Sequence, residues 1–430
     1  MAKEFTFDDL NEALSKVSIL GSKLNENEVS KVSEYIHSGN YHLNACLTGS
    51  IFRGYPSNRA IQLSGPSGTG KTYLLLNAIR EAQKMGYYVV FYDSENAVDS
   101  ELAEKFGIDT TKIRYEPVGT VQEFRTSVTN LTKVLIEKKR DGTTIPKILI
   151  ALDSAGNLAT QKEIDDAVSG SEKADMTRAK ILKSIFRIMM IRLGEINSLF
   201  IFTNHTYQTQ SFISMEVSGG GRGPEYGASI ILFLGKAQLK EGDSKTGIIV
   251  KAKPNKNRFS IPTPIKFHIH YTKGMNKYVG LENYISWETC GIEKGIIITE
   301  KEIEKVGKKI EKEKSEIKKK KMILAGELVA ATKFKVDDED SYFVDPDNGK
   351  MLGIGGTSKG LAVRHLGRSI DGSELFTSKV FTKEVLESIN EIIKENFEYA
   401  DDDSAELEQI DTLLKDEIKA IKGTGDAGPG

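Results

Sequence analysis

Cysteine, tryptophan and proline are scarce in this chain of 430 residues, at two, one and ten. Cys46 and Cys290 stand 244 positions apart (290 − 46). That excludes a disulfide framework and any short-spaced zinc pattern, and it fits two buried thiols in a reducing compartment. No run of 18 consecutive apolar residues occurs, so no membrane-spanning helix is expected. The first nine residues lack the apolar stretch of a secretory signal, and together these absences lead us to expect a cytoplasmic protein. Net charge is missing as well: 59 Lys and Arg against 61 Asp and Glu leave −2. A global positive field is thereby excluded, and any nucleic-acid contact has to be a local basic surface. Heptad and Gly-Xaa-Yaa repeats are also absent.

What is present is an ordinary globular composition, 39% hydrophobic and 28% charged, long enough for two domains at about 150 residues each. Residues 1–29 read as a separate short arm. Thr6 with Asp9 makes a capping box, and Leu10, Leu14 and Val17 then fall on one helical stripe. That stripe packs either on its own domain or on a neighbouring subunit. Residues 30–290 form the main body, with apolar runs at 60–63, 87–92, 148–152, 199–203, 230–234, 248–251 and 265–269. Helical patterns lie at about 71–85, 121–139 and 175–195. Near-continuous apolar strands alternating with amphipathic helices predict an α/β fold, a mostly parallel twisted sheet flanked by helices. The last two runs have no helix between them and are expected as an antiparallel extension. Residues 291–397 read as a small C-terminal domain that opens on a charged helix, 301–321, with ten lysines and five glutamates. Leu386, Ile389 and Ile393 mark its last helix. Residues 398–430, with seven carboxylates and no cation over 398–411 and glycines at the end, read as a largely mobile acidic tail that could compete with DNA for basic surfaces.

Gly65-Pro66-Ser67-Gly68-Thr69-Gly70-Lys71-Thr72 is a phosphate-binding loop, GxxxxGK[ST], set between a strand and a helix. Glycines let backbone N–H groups turn inward on anionic oxygens, and the following helix points its positive end at them. Lys71 is expected on the β- and γ-phosphates, with Thr72 as a Mg²⁺ ligand. The run 147–152 is a strand ending in Asp153, which in an open α/β sheet sits beside the loop and holds Mg²⁺. Hydrolysis also needs a carboxylate that orients or deprotonates water. The strand 87–92 ends in Asp93-Ser94-Glu95; Glu95 is the candidate base and Asp93 its rival, since spacing does not separate them. The strand 199–203 ends in Asn204-His205, where His205 either senses the γ-phosphate or serves as a structural hydrogen-bonder.

These segments, in this order, resemble the RecA family of recombinases, and within it the UvsX-type recombinases of T-even-type phages look the nearer match. The resemblance covers about 30–290 and rests on 63–72, on Phe91-Tyr-Asp-Ser-Glu-Asn-Ala-Val-Asp99, on 150–154, on Phe202-Thr-Asn-His205, on Ser218-Gly-Gly-Gly-Arg222 and on Lys256-Asn-Arg258. It implies a RecA-type P-loop ATPase core that uses ATP and Mg²⁺. It favours Glu95 over Asp93 as the base and gives His205 the sensor position. Asp99 matches a residue near the adenine, and Leu102 falls where bacterial members place a stacking tyrosine. Lys256 and Arg258 match a basic pair that reaches ATP on the adjoining subunit.

Two segments match the family's DNA-binding loops, about 162–174 and 206–226. The second is long, polar and Gly-rich even without the family, and such loops are usually functional or disordered. Arg222 beside Gly220 and Gly221 can approach a phosphate backbone, and Phe212 and Ile213 can wedge between bases. The first carries Lys162 and Lys173 among four carboxylates, with Arg178 just beyond as a further candidate. The resemblance thus implies an ATP-dependent recombinase that forms a filament on single-stranded DNA and exchanges strands with duplex DNA. A recombination mediator and a single-strand-binding protein are candidate partners, the cytoplasm being a bacterial host's if the gene is a phage's. A hexameric helicase with the same core, or a nucleotide switch that ignores DNA, are the alternatives.

Overall fold

Parity separates the apolar runs onto two faces. Successive side chains of a strand point to opposite sides of a sheet, and here both sides are covered. Ile61 and Leu63, Val89 and Phe91, Leu149 and Ala151, and Leu199 and Ile201 join one buried cluster. Val90 and Tyr92, Ile150 and Leu152, and Phe200 and Phe202 join a second. The computed structural model describes residues 5–18, 20–170, 177–208, 216–218, 223–284, 376–378 and 381–399, with four two-residue strand pieces between 335 and 352.

In chain order the elements are α1 (Phe7–Ser15), β1 (Tyr35–Ile36), α2 (Tyr41–Thr48), β2 (Tyr55–Pro56), β3 (Ala60–Ser64), α3 (Lys71–Lys84), β4 (Tyr88–Asp93), α4 (Ser100–Lys105), β5 (Ile113–Pro117), α5 (Val121–Arg140), β6 (Ile148–Asp153), α6 (Gln161–Ser169), α7 (Thr177–Ile196), β7 (Leu199–Asn204), β8 (Thr206–Gln208), β9 (Glu216–Ser218), α8 (Gly223–Gly227), β10 (Ile230–Glu241), β11 (Ser244–Asn257), β12 (Ile265–His270), β13 (Gly274–Met275) and α9 (Lys383–Phe397). A nine-stranded sheet runs β13-β12-β11-β10-β3-β7-β6-β4-β5. The pairs from β10 through β5 are parallel. Those from β10 to β13 are antiparallel, which is the expected extension. Helices α2 and α3 cover the first face, and α5 and α7 cover the second.

Two strands are longer than their apolar runs. Beyond Leu234, β10 alternates half-buried and exposed residues and reads as polar, yet it pairs with β11 through Glu241 and closes in the two-residue turn Gly242-Asp243. The edge strand β5 was not expected at all: only Ile113 and Glu116 are even half-buried in Ile-Arg-Tyr-Glu-Pro, so no apolar run announces it.

The arm helix α1 has its capping box between Thr6 and Asp9 and buries no residue. At the far end of the chain, α9 packs into the main body. Val385, Leu386, Ile389, Ile393 and Phe397 share a cluster with Leu43 and Leu47 of α2. The buried Asn390 carboxamide oxygen accepts from the Ser50 hydroxyl (2.8 Å) and the Ile51 N–H (2.9 Å), and Arg53 pairs with Glu398 at 2.6 Å. The last helix of the expected C-terminal domain is therefore a core element. The charged helix at 301–321 and the tail from 400 onward lie outside the described residues.

Candidate active site

Strand register brings the candidate residues to one edge. Ser64 pairs with Asn204 across β3 and β7, and Asp93 pairs with Asp153 across β4 and β6, so all four strands stop together at their carboxyl ends. Between β3 and β4 the sheet inserts β7 and β6, which opens the crevice where ligands of such sheets bind.

The loop 65–72 turns there. Gly68 and Gly70 have φ of 73° and 89°, a region glycine enters without steric cost, and Gly70 is the N-cap of α3. The Lys71 ammonium donates to the carbonyls of Gly65 (2.8 Å) and Pro66 (3.0 Å). Burial pulls its pKa down, and the Asp153 and Glu95 charges oppose that. The Thr72 hydroxyl donates to Asp153 Oδ2 at 2.7 Å, and the Thr203 hydroxyl donates to Oδ1. Burial nonetheless pushes the Asp153 carboxyl above its usual range. Thr72 and Asp153 form a compact set of hard oxygen donors, a chemistry that fits Mg²⁺.

Beyond β4 the two carboxylate candidates part. Asp93 is buried and its Oδ1 accepts the N–H groups of Glu95 and Asn96, both at 2.8 Å, while Oδ2 accepts from the Tyr115 hydroxyl at 3.2 Å. It is occupied as the cap of the turn. Glu95 faces inward along the edge: its Oε1 accepts from the Ser154 hydroxyl at 2.7 Å and lies 3.1 Å from His205 Nε2. Gly156 makes room for this meeting, since a Cβ there would lie 3.0 Å from His205 Cδ2 and 3.1 Å from Asn204 Oδ1.

Beside the loop opens a cavity of about 720 Å³, lined among others by Gly70, Tyr73, Gln238, Ile269 and Tyr271. Lys236 of β10 also lines it and donates to the Ser67 carbonyl at 2.9 Å. Sequence reasoning missed Lys236, which sits in a polar stretch with no motif. Asp99 is exposed and caps α4 by accepting from the Leu102 N–H at 2.7 Å; Leu102 is half-buried. Phe106, the residue that closes α4, meets Tyr73 edge-on with centroids 5.2 Å apart, which sets α4 beside the cavity.

A match to the RecA N-terminal domain family spans residues 2–276. The chain belongs to the RecA family. Similar proteins include the recombination and repair protein of Enterobacteria phage T4, 31% identical over 279 residues that cover 64% of this chain and 69% of the phage protein. RecA of Arthrobacter sp. strain FB24 is 28% identical over 274 residues, 63% and 72% of the two chains. RecA of Mesomycoplasma hyopneumoniae strain 7448 is 31% identical over 253 residues, 57% and 68%. This RecA-family chain is accordingly a nucleotide-binding ATPase of the recombinase class.

The remaining candidates of the RecA-family chain are spread more widely. Lys256 lies one residue before the end of β11 and is half-buried, its ammonium on the carbonyls of Glu225 (2.9 Å) and Tyr226 (3.3 Å). Burial and then the Arg258 charge lower its pKa. Arg258 is exposed. Lys162 is exposed in the first turn of α6. Arg178 turns inward instead: its guanidinium donates to the carbonyls of Ala155 (3.1 Å) and Gly156, so its charge braces the turn after β6. Lys173, Phe212, Ile213, Gly220, Gly221 and Arg222 lie outside the described residues. Among the described residues no helix is long and apolar enough to cross a membrane.

Proposed function

We propose that this chain is an ATP-dependent recombinase that assembles as a helical filament on single-stranded DNA and pairs it with homologous duplex DNA. The observation that carries the reading is the meeting of Glu95 with His205, at 3.1 Å, on the same edge where Thr72 meets Asp153. Directly after His205 the chain enters β8, paired with β9, both within the segment that matches a DNA-binding loop. One edge thus joins hydrolysis to DNA grip.

On this reading Lys71 binds the β- and γ-phosphates in place of the Gly65 and Pro66 carbonyls. The donor pair of Thr72 and Asp153 would hold Mg²⁺, which supplies positive charge to the phosphate oxygens when bound. Asp93 holds the turn and leaves Glu95 to orient and deprotonate the attacking water. His205 exchanges Glu95 for the γ-phosphate, and its departure or return repositions the segment that follows it. Base and ribose occupy the cavity beside Tyr73, with Asp99 and Leu102 at its α4 side. Lys256 and Arg258 serve the nucleotide of the adjoining copy. Residues 1–29 act as an assembly arm, 30–290 as the ATPase core with Lys162, Lys173, Phe212 and Arg222 toward DNA, 291–397 as a C-terminal region for duplex DNA, and 398–430 as an acidic tail. A mediator and a single-strand-binding protein fit as partners of such a filament. Pairing of bases, not side-chain readout, tests homology, so affinity should tolerate sequence and fall with salt.

Glu95→Gln tests this. It should bind a slowly hydrolysed ATP analogue and form filaments on single-stranded DNA, while DNA-stimulated hydrolysis falls by about 10²- to 10⁴-fold. Normal turnover in that variant removes Glu95 as the base, and closed rings instead of open filaments by negative-stain imaging favour a helicase.

A further inference from the structure

We propose that Ser154 is a positioning residue for Glu95, and that Arg178 fixes the turn from which Ser154 acts. The inference rests on Glu95 being the base. An ionised carboxylate only accepts, so the Ser154 hydroxyl donates to Oε1, at 2.7 Å. Ser154 and His205 meet the same oxygen. Oε2 carries no hydrogen bond to a described residue and is the oxygen left to receive a proton from water.

The two holders of Oε1 differ in what else binds them. His205 sits where the chain leaves the sheet for β8, at 26% side-chain exposure. Ser154 is fully buried, and its backbone is bolted to the turn that carries Glu95. The Ser154 N–H donates to Ser94 Oγ (2.9 Å), the Ser94 hydroxyl donates back to the Ser154 carbonyl (2.8 Å), and the Ser94 N–H donates to the Asp153 carbonyl (2.8 Å). Ser154 and Glu95 therefore move as one piece. When His205 turns toward phosphate, Ser154 remains as the donor that keeps Oε2 aimed.

Arg178 holds this piece from the other side. It grips the carbonyls of Ala155 and Gly156, while the Ala155 N–H donates to the Thr203 carbonyl at 3.0 Å. The turn is clamped between the end of β7 and the first turn of α7, whose start follows the segment 162–174. Any shift of α7 on DNA binding reaches Glu95 through Arg178, the turn and Ser154, a route that bypasses His205.

The test uses the full chain with single-stranded DNA. Ser154→Ala should lower DNA-stimulated kcat by about 10- to 100-fold, the range that small misplacement of a reacting group costs. KM for ATP and binding of a slowly hydrolysed ATP analogue should stay within about twofold, because the lost bond aims a base and touches no substrate. Ser154→Cys keeps the volume with a weak donor and should fall between wild type and alanine; it serves if the alanine variant does not fold. Added to Glu95→Gln, Ser154→Ala should cost nothing more, and added to His205→Ala it should cost more than the two single losses combined. Arg178→Lys, which keeps charge but loses the fork, should lower kcat in the presence of DNA more than in its absence. Wild-type kcat in Ser154→Ala, or equal losses in kcat and analogue binding, overturns the proposal. If Glu95→Gln is inactive and Ser154→Ala is normal, only this inference fails; if Glu95→Gln is active, the function reading above fails with it.

Discussion

The carboxyl edge of the sheet and the N-terminal helix are built in opposite ways. At the edge, Lys71, Thr72, Asp93, Asp153 and Glu95 each bond to another residue of the same chain, and Asp93 and Asp153 are at most 3% exposed. In α1 no residue is buried, and Leu10, Leu14 and, just past its end, Val17 stand 41%, 51% and 79% exposed where the helical stripe predicts an apolar contact. Arg258 sides with α1, exposed and without a hydrogen bond or ion pair to a described residue. One region is closed on itself by its own hydrogen bonds, and the other is left exposed. On the proposed reading a second copy closes the exposed region: it covers the α1 stripe and gives Arg258 a phosphate.

The sharpest way to break that contrast is to remove the basic pair. Lys256→Ala with Arg258→Ala should lower DNA-dependent turnover by about 10³-fold, the scale of a charge supplied in trans. Binding of an ATP analogue by the dispersed protein should hold. If analogue binding falls equally, the pair serves its own loop and the two regions are not distinct. Next in size is Ile389→Ala. If α9 belongs with the closed region, deleting this fully buried side chain should cost about 3 kcal/mol in denaturant unfolding; a loss below about 1 kcal/mol would assign α9 to the exposed region.

Acid should act on the buried histidines of the main body. Burial lowers the His42 pKa from 6.5 to about 4. The folded value lies below the unfolded one, so this stabilisation is present above about pH 6.5 and is lost as pH falls toward 4, on the order of 2 kcal/mol. Unfolding midpoints between those pH values should drop in the wild type and drop less steeply in His42→Gln; part of the slope stays, because burial lowers the His37 pKa to about 4 as well. The smallest stability change belongs to α1. Deleting residues 1–17 should move unfolding by less than about 0.5 kcal/mol, as for surface changes generally, while sedimentation shows assembly lost. Intact assembly would mean that the exposed stripe is not an interface.

The closed region was also the one most legible in sequence. The loop 65–72 and the carboxyl-end residues Asp93, Asp153 and His205 are read locally, because a strand followed by a turn carries its own signal. Glu95 against Asp93 was not decided by spacing; their difference is one of hydrogen bonds, with Asp93 turned back on its own loop. Arg178 read as a cation free for DNA because nothing local shows its carbonyl partners, 22 and 23 residues upstream. The packing of α9 against α2 bridges about 340 positions, and no periodicity carries information over that range. Lys236 was hidden for a simpler reason: polar alternation at the end of β10 looks like a loop until its partner strand is known.

If copies of this chain line up as proposed, the ladder between β10 and β11 links one nucleotide to the next. Lys236, which touches the loop tip at Ser67, pairs with Val250, and Lys256 pairs with Ile231. About five residues of doubled strand separate these two lysines, roughly 17 Å at 3.4 Å per residue. On the proposed reading, this doubled strand joins the lysine at a subunit's own phosphate loop to the lysine that serves the adjoining subunit's nucleotide. On that reading, a displacement at one lysine reaches the other along paired backbone rather than through a loop, and occupancy at one station passes along the row as a displacement rather than as a diffusing signal.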